Sequence, residues 1–137
     1  MLAALGARFL DASGASVGPG GAALARLAKA DLSGLDPRLA EVDLVLASDV
    51  DNPLLRPKGA AAVYGPQKGA PPKEVDILED ALRHYARTCG ALGTAGEPGA
   101  GAADGPGFGA RTALRARFRP GKVKWSRPAR CRRRRPR

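Results

Sequence analysis

This chain of 137 residues has no apolar run near the roughly 20 residues that a membrane-crossing helix needs. Its start, Met1-Leu2-Ala3-Ala4-Leu5-Gly6-Ala7-Arg8, has no basic region ahead of a short apolar stretch, so no secretory signal is expected. It has two cysteines, Cys89 and Cys131, far apart and at no metal-binding spacing. They are read as free thiols in a reducing compartment, and the expected location is the cytoplasm. The single histidine, His84, has no acid or nucleophile at a telling distance and is read as structural. Ser13, Ser16, Ser33 and Ser48 sit in no nucleophile elbow, which leaves Ser–His catalysis without support. There is no GxxxxGK[ST], and therefore no Walker-type phosphate loop.

The formal net charge of +10 first suggests a nucleic-acid binder, but the charge is unevenly placed. Residues 1–98 hold 10 Lys/Arg and 12 Asp/Glu, a balance of −2; residues 99–137 hold 13 Lys/Arg and only Asp104, a balance of +12. The first part has the charge of an ordinary, mildly acidic domain. The excess lies in a tail that runs into Arg132-Arg133-Arg134-Arg135-Pro136-Arg137, with no apolar period and strong self-repulsion. Residues 122–137 are expected to be a disordered basic tail. Such a tail would contact phosphates without specificity, and Trp125 alone is no stacking platform.

Within residues 1–121, helix formers over Ala22–Lys29 place Leu24, Leu27 and Ala28 on one face and predict a helix. Val42-Asp43-Leu44-Val45-Leu46-Ala47 has strand length and is apolar at nearly every position, as in a strand buried on both faces. The clearest helix opens at Pro71-Pro72 and closes before Gly90. Its stripe of Val75, Leu78, Leu82, Tyr85 and Cys89 predicts a buried face. Glu74, Asp76, Glu79 and Asp80 are read as its solvated face. Gly90 to Gly109 is read as Gly/Ala-rich loop.

Ala47–Ala70, ASDVDNPLLRPKGAAAVYGPQKGA, holds the residues that no packing argument demands. Asp49 and Asp51 fall just past the end of the predicted strand, where ligands of open α/β sheets bind. Their spacing of two directs both side chains to one side of an extended segment. Two readings fit: a cation such as Mg²⁺ between the carboxylates, or an Asx-type turn in which they cap backbone N–H groups. Lys68, among Gly65, Pro66, Gln67 and Gly69, can approach a phosphate as a point charge or be a solvated turn residue. Gly99-Ala100-Gly101-Ala102-Ala103-Asp104-Gly105 misses GxGxxG at Asp104, and is either an anion-wrapping loop or a plain flexible one.

Taken in order, these segments resemble the bacterial glycerate kinase family, whose bacterial members phosphorylate D-glycerate with ATP. The segments are LGARFLD from Leu5, GGAAL from Gly20, DLSGLDPRL from Asp31, DVDNPL from Asp49, GPQKGA from Gly65, LRHYA from Leu82 and PGAGAA from Pro98. The resemblance runs from Leu5 to Gly121. It implies an α/β fold, here mainly the smaller inserted domain of a two-domain kinase, with the site in the cleft between domains. It further implies ATP and Mg²⁺ as cofactors and D-glycerate as substrate; neither nucleic acid nor membrane is expected as a partner. Asp49, Asp51 and Lys68 become candidate catalytic residues, with Asp49 and Asp51 toward Mg²⁺. Gly99, Gly101 and Gln67 become candidate cofactor contacts.

The departures are specific. Ser48 replaces a common Cys, Arg56 stands where a Gly is usual, and Asp104 and Pro106 interrupt a run that is normally GAGAAGGLG. The family's Asp-Gly-Gly-Glu-Gly type motif has no counterpart, and the Arg/Pro-rich end looks like another reading frame. The expectation is a kinase fragment, inactive alone. The alternative is a small basic protein that binds nucleic acid through its tail.

Overall fold

A computed structural model describes residues 1–121. The expected basic tail, with Trp125 and Cys131, lies outside the described residues, and so does the basis of the nucleic-acid alternative.

The chain opens with a 3-10 turn, Leu2–Leu5, and strand β1, Arg8–Leu10. A second 3-10 turn, Gly21–Arg26, leads into β2, Lys29–Asp31, which pairs antiparallel with β1 in the register Arg8↔Asp31, Phe9↔Ala30, Leu10↔Lys29. A third, Pro37–Glu41, precedes β3, Val45–Ser48. Helices α1, Ala60–Gln67, α2, Pro72–Thr88, and α3, Leu92–Ala95, follow. A short 3-10 turn, Ala102–Asp104, then leads to α4, Pro106–Ala113, and β4, Arg117–Pro120, parallel to β3. The expected α/β class holds, with two separate two-stranded sheets rather than one large one.

Helix α2 forms as its sequence dictates. Pro72 occupies the first turn, Glu74 sits there beside the dipole's positive end, and Arg87 lies in the last turn. Its buried face packs on the Gly21–Arg26 turn and on α1. Leu82, Tyr85 and Ala86 join Leu27, Leu54, Ala60, Ala95, Ala100 and Phe108 in one core. Phe9, Tyr85 and Phe108 run through it edge to face, with ring centroids 6.1 and 5.2 Å apart. His84 is structural, as expected: its Nε2 meets the Leu27 carbonyl at 2.6 Å, tying α2 to the chain entering β2.

Several local expectations give way to tertiary context. The helix expected over Ala22–Lys29 is the 3-10 turn Gly21–Arg26, because Lys29 is taken into β2 and the segment left is too short for a stable α-helix. Leu27 still reaches the core, at 1% exposure. The strand expected to be buried on both faces alternates exposed and half-buried positions over Val45–Ser48, with β4 as its only strand partner among the described residues. The Gly/Pro segment before Lys68 is the last turn of α1, with Pro66 inside the helix and Gly65 giving Val75 room to pack. The Gly90–Gly109 loop contains α3 and the start of α4, where Pro106 is tolerated in the first turn. Glu79 is not on a solvated face: it turns inward to hold the backbone at Arg56.

Candidate functional site

Strand β3 ends at Ser48, and the turn that follows belongs to that serine. Ser48 Oγ accepts from the Val50 N–H at 3.3 Å and donates to the Val50 carbonyl at 3.2 Å. Asp49 and Asp51 are both exposed. Among the described residues neither carboxylate accepts a hydrogen bond from a backbone N–H, so the Asx-turn reading has no counterpart here. Two anions held two residues apart, with no hydrogen-bond or ion-pair partner among the described residues, leave room for a cation.

The next residue, Asn52, joins three segments. Its Nδ2 donates to the Lys58 carbonyl at 3.0 Å, and its Oδ1 accepts from the Tyr64 hydroxyl of α1 at 3.5 Å. Its backbone carbonyl accepts from the Gly101 N–H at 2.9 Å. Leu54, fully buried, anchors the segment from below, and its N–H donates to the Ala95 carbonyl at 2.9 Å. The DNPL turn is therefore stitched to α1, α3 and the Gly-rich loop together.

The two glycines singled out in that loop allow close approach. A Cβ on Gly101 would lie 2.2 Å from the Pro53 carbonyl oxygen, inside any permissible contact. A Cβ on Gly99, whose φ is 78°, would lie 2.1 Å from the Phe118 ring, which also carries the Arg111 guanidinium 5.7 Å above its centroid. The Gly101 N–H is already committed to Asn52, so an anion could not use it without breaking that bond.

Lys68 follows α1 directly, and its ammonium donates to the Asp104 carboxylate. Both side chains are substantially exposed, Lys68 more than Asp104. Gln67, the last residue of α1, is exposed beside it. The GPQKGA segment and the Gly-rich loop thus meet through an ion pair, and the Gly-rich loop and DVDNPL meet through Gly101 and Asn52.

Two residues at unusual backbone geometry flank this region. Arg56 has φ 90°, and its N–H donates to Glu79 Oε1 at 3.0 Å. Glu79 Oε1 also accepts from Arg83 at 3.1 Å, while its buried Oε2 has no partner among the described residues. Asp104 has φ 64°. Both positions are in the region that glycine occupies at least cost, which is why each interrupted a Gly-containing run in the sequence. Asn52 and Glu79 carried no such signal.

Hydrogen bonds from the Ser33 hydroxyl and N–H, and from Arg8, hold the Asp31 carboxyl well below its ordinary range. Arg38 lowers Asp36 to about 2. Burial raises the Tyr85 phenol and the Cys89 thiol. Among the described residues no three His, Cys, Asp or Glu side chains cluster to form an all-protein metal site. A pair of carboxylates is nonetheless what Mg²⁺ takes when phosphate oxygens complete its shell.

The sequence model of the glycerate kinase family matches residues 1–124. This chain belongs to the glycerate kinase family. It is 51% identical over 124 residues to the glycerate kinase of Bacillus subtilis (strain 168), a match covering 88% of this chain and 32% of that protein. It is 41% identical over 124 residues to the glycerate 2-kinase of Escherichia coli (strain K12), covering 88% of this chain and 32% of the relative. A crystal structure from Salmonella typhimurium LT2, assigned as a glycerate kinase 2, superposes with a TM-score of 0.83 at 43% identity, over 88% of this chain and 33% of that one. The chain thus spans about a third of the length of the family members it matches. Among the described residues no helix is long and apolar enough to cross a membrane.

Proposed function

We propose that this chain carries one wall of a glycerate kinase site, which acts in transfer of the ATP γ-phosphoryl group to a hydroxyl of D-glycerate in the cytoplasm. The observation that carries this reading is the convergence of DVDNPL, GPQKGA and the Gly99–Gly105 loop on Asn52, Gly101 and the Lys68–Asp104 pair. The segments share the core through Leu54, Ala60 and Ala100, while the charged groups Asp49, Asp51, Lys68 and Asp104 are all left exposed.

Phosphoryl transfer asks the protein for positioning and charge neutralisation more than for covalent chemistry. Asp49 and Asp51, exposed and without a protein partner among the described residues, are suited to hold Mg²⁺ or to orient the glycerate hydroxyl. Mg²⁺, when bound, neutralises charge on the transferring phosphoryl oxygens. Lys68 supplies a compact positive charge that can move from Asp104 to a phosphate oxygen, and Gln67 offers an amide beside it. Gly99 and Gly101 shape the same wall by letting Phe118 and Pro53 close in. With a third of the family's length present, the isolated chain is expected to hold ligands weakly and not to turn over.

Mn²⁺, a paramagnetic stand-in for Mg²⁺, tests this by selective broadening of amide signals in the presence of ATP. Broadening centred on Ser48–Asn52 and reduced in Asp49→Asn is expected. Broadening centred elsewhere, or unchanged in that variant, overturns the reading.

A further inference from the structure

Between the DVDNPL turn and α1 the chain makes a tight loop from Leu54 to Gly59. Two main-chain bonds close it: the Gly59 N–H donates to the Arg56 carbonyl at 2.7 Å, and the Ala60 N–H to the Leu54 carbonyl at 3.0 Å. The loop is crowded as well. A Cβ on Gly59 would lie 2.7 to 2.8 Å from main-chain atoms of Leu54, Leu55 and Arg56. At the turning point Arg56 takes φ 90°, a conformation that persists only where its surroundings enforce it.

One side chain of α2 reaches this loop. Glu79 accepts the Arg56 N–H at its Oε1, at 3.0 Å. Its placement is not that of a surface ion pair. The Glu79 side chain is 19% exposed, and its Oε2 is buried with no partner among the described residues. An unpaired buried carboxylate oxygen costs free energy. Arg83, the other partner of Glu79, does not require that placement, because it already has the exposed Asp80 at 2.6 Å. The bond that accounts for the inward position of Glu79 is therefore the one to Arg56.

The loop in turn holds Asn52. The Lys58 carbonyl, two residues beyond Arg56, accepts from Asn52 Nδ2 at 3.0 Å. Asn52 directly follows Asp51 and is bonded through its own carbonyl to Gly101. Two hydrogen bonds thus lead from a helix seated in the core to the turn that carries the acids: Glu79 sets the loop, and the loop sets Asn52. Asp49 and Asp51 are exposed, so the backbone of that turn is what directs them.

We propose that Glu79 is a positioning residue of the site: by holding the Arg56 N–H it fixes the Lys58 carbonyl and, through it, Asn52, so that Asp49 and Asp51 are presented together to a divalent cation. The inference rests on the reading of these acids as a Mg²⁺ pair, and adds to it the group that orients them.

The test uses the full chain, with Mn²⁺ as the probe. Glu79→Met keeps length and helix propensity and removes the acceptor; Glu79→Gln keeps the acceptor without the charge. In Glu79→Met the Arg56 amide should exchange about fivefold faster, and Mn²⁺, read by broadening at Ser48–Asn52, should bind about fivefold more weakly, the loss expected for one hydrogen bond. The Asn52 side-chain amide signals should move toward those of a free amide. Glu79→Gln should restore all three to within about twofold of the parent. Ala86→Gly, about two turns further along α2, controls for a weakened helix: it should lower the melting temperature and leave the Asn52 signals and Mn²⁺ binding unchanged. If Glu79→Met does not fold, Glu79→Ala, which also lacks the acceptor, is read in the same way. The proposal is overturned by Asn52 signals that stay put once Arg56 is released, by Mn²⁺ binding unchanged in Glu79→Met, by an equal loss in Ala86→Gly, or by a loss in Glu79→Gln as large as in Glu79→Met. Mn²⁺ broadening centred away from Ser48–Asn52 in the parent chain overturns the metal reading alone, because the Arg56 and Asn52 signals are read without metal and show by themselves whether Glu79 sets the turn.

Discussion

Lys68 donates its ammonium to the carboxylate of Asp104, 36 residues further along the chain, and thereby joins the end of α1 to the Gly-rich loop. The lysine that the site would aim at a phosphate is therefore already held by an anion of the same chain. An exposed pair of this kind contributes about 0.2–1 kcal/mol. Asp104→Asn should accordingly tighten ATP binding by about 1.5- to 5-fold, because Asn tolerates the same backbone while releasing the ammonium. Titration calorimetry on the chain and this variant checks it; unchanged or weaker binding would show that Lys68 does not serve the phosphate.

Arg56 is a stabilisable position. Its φ of 90° is costly for any residue with a Cβ, and its N–H bond to Glu79 survives replacement by glycine. Arg56→Gly should raise stability by about 1 kcal/mol, the relief of left-handed strain less the added chain entropy. Urea unfolding measures it, and the expected sign is a higher midpoint at unchanged slope.

Gly101→Ala should do the reverse. Its Cβ would collide with the Pro53 carbonyl, and the loop must retreat from Asn52. A loss of about 1–3 kcal/mol is expected from such overpacking. The Asn52 and Gly101 amide signals should shift together, because one hydrogen bond joins them.

The acid side of the stability curve is set partly by Asp31. Its folded carboxyl is held well below 3.8 by Ser33 and Arg8. A depressed carboxyl contributes stability that is full above the unfolded value and is lost as pH falls through the folded one. Asp31→Asn should therefore be less stable than the parent at pH 7, and the gap should close as pH drops below about 4. Thermal melts across that range give the comparison.

Which parts of this molecule could be read without coordinates follows from physics. The α2 helix was legible to within a residue or two, because a stripe repeating at three and four, a Pro start and a Gly stop all agree. Asp49 and Asp51 were correctly expected just past a strand, because an apolar run followed by acids and Pro marks a strand end locally. What the sequence hid is what depends on distant partners. Gly21–Arg26 has helix formers but yields its end to β2. Gly65 and Pro66 read as turn signals, yet a helix tolerates them in its last turn because Gly65 lets α2 approach. Glu79 looked like one more surface acid, and only the fold shows it turned toward Arg56. The meeting of Asn52 with Gly101 has no local sequence mark at all.

Asp49, Asp51 and Lys68 are proposed to work as one wall of a glycerate kinase site. The most direct test places residues 1–121 in the Bacillus subtilis enzyme in exchange for the matched third and measures ADP release with ATP, Mg²⁺ and D-glycerate. D-glycerate-dependent turnover is expected, falling at least about 100-fold in Asp49→Asn, Asp51→Asn or Lys68→Ala, a loss comparable to removing one charge-stabilising group. Near-parental turnover in all three variants would contradict it.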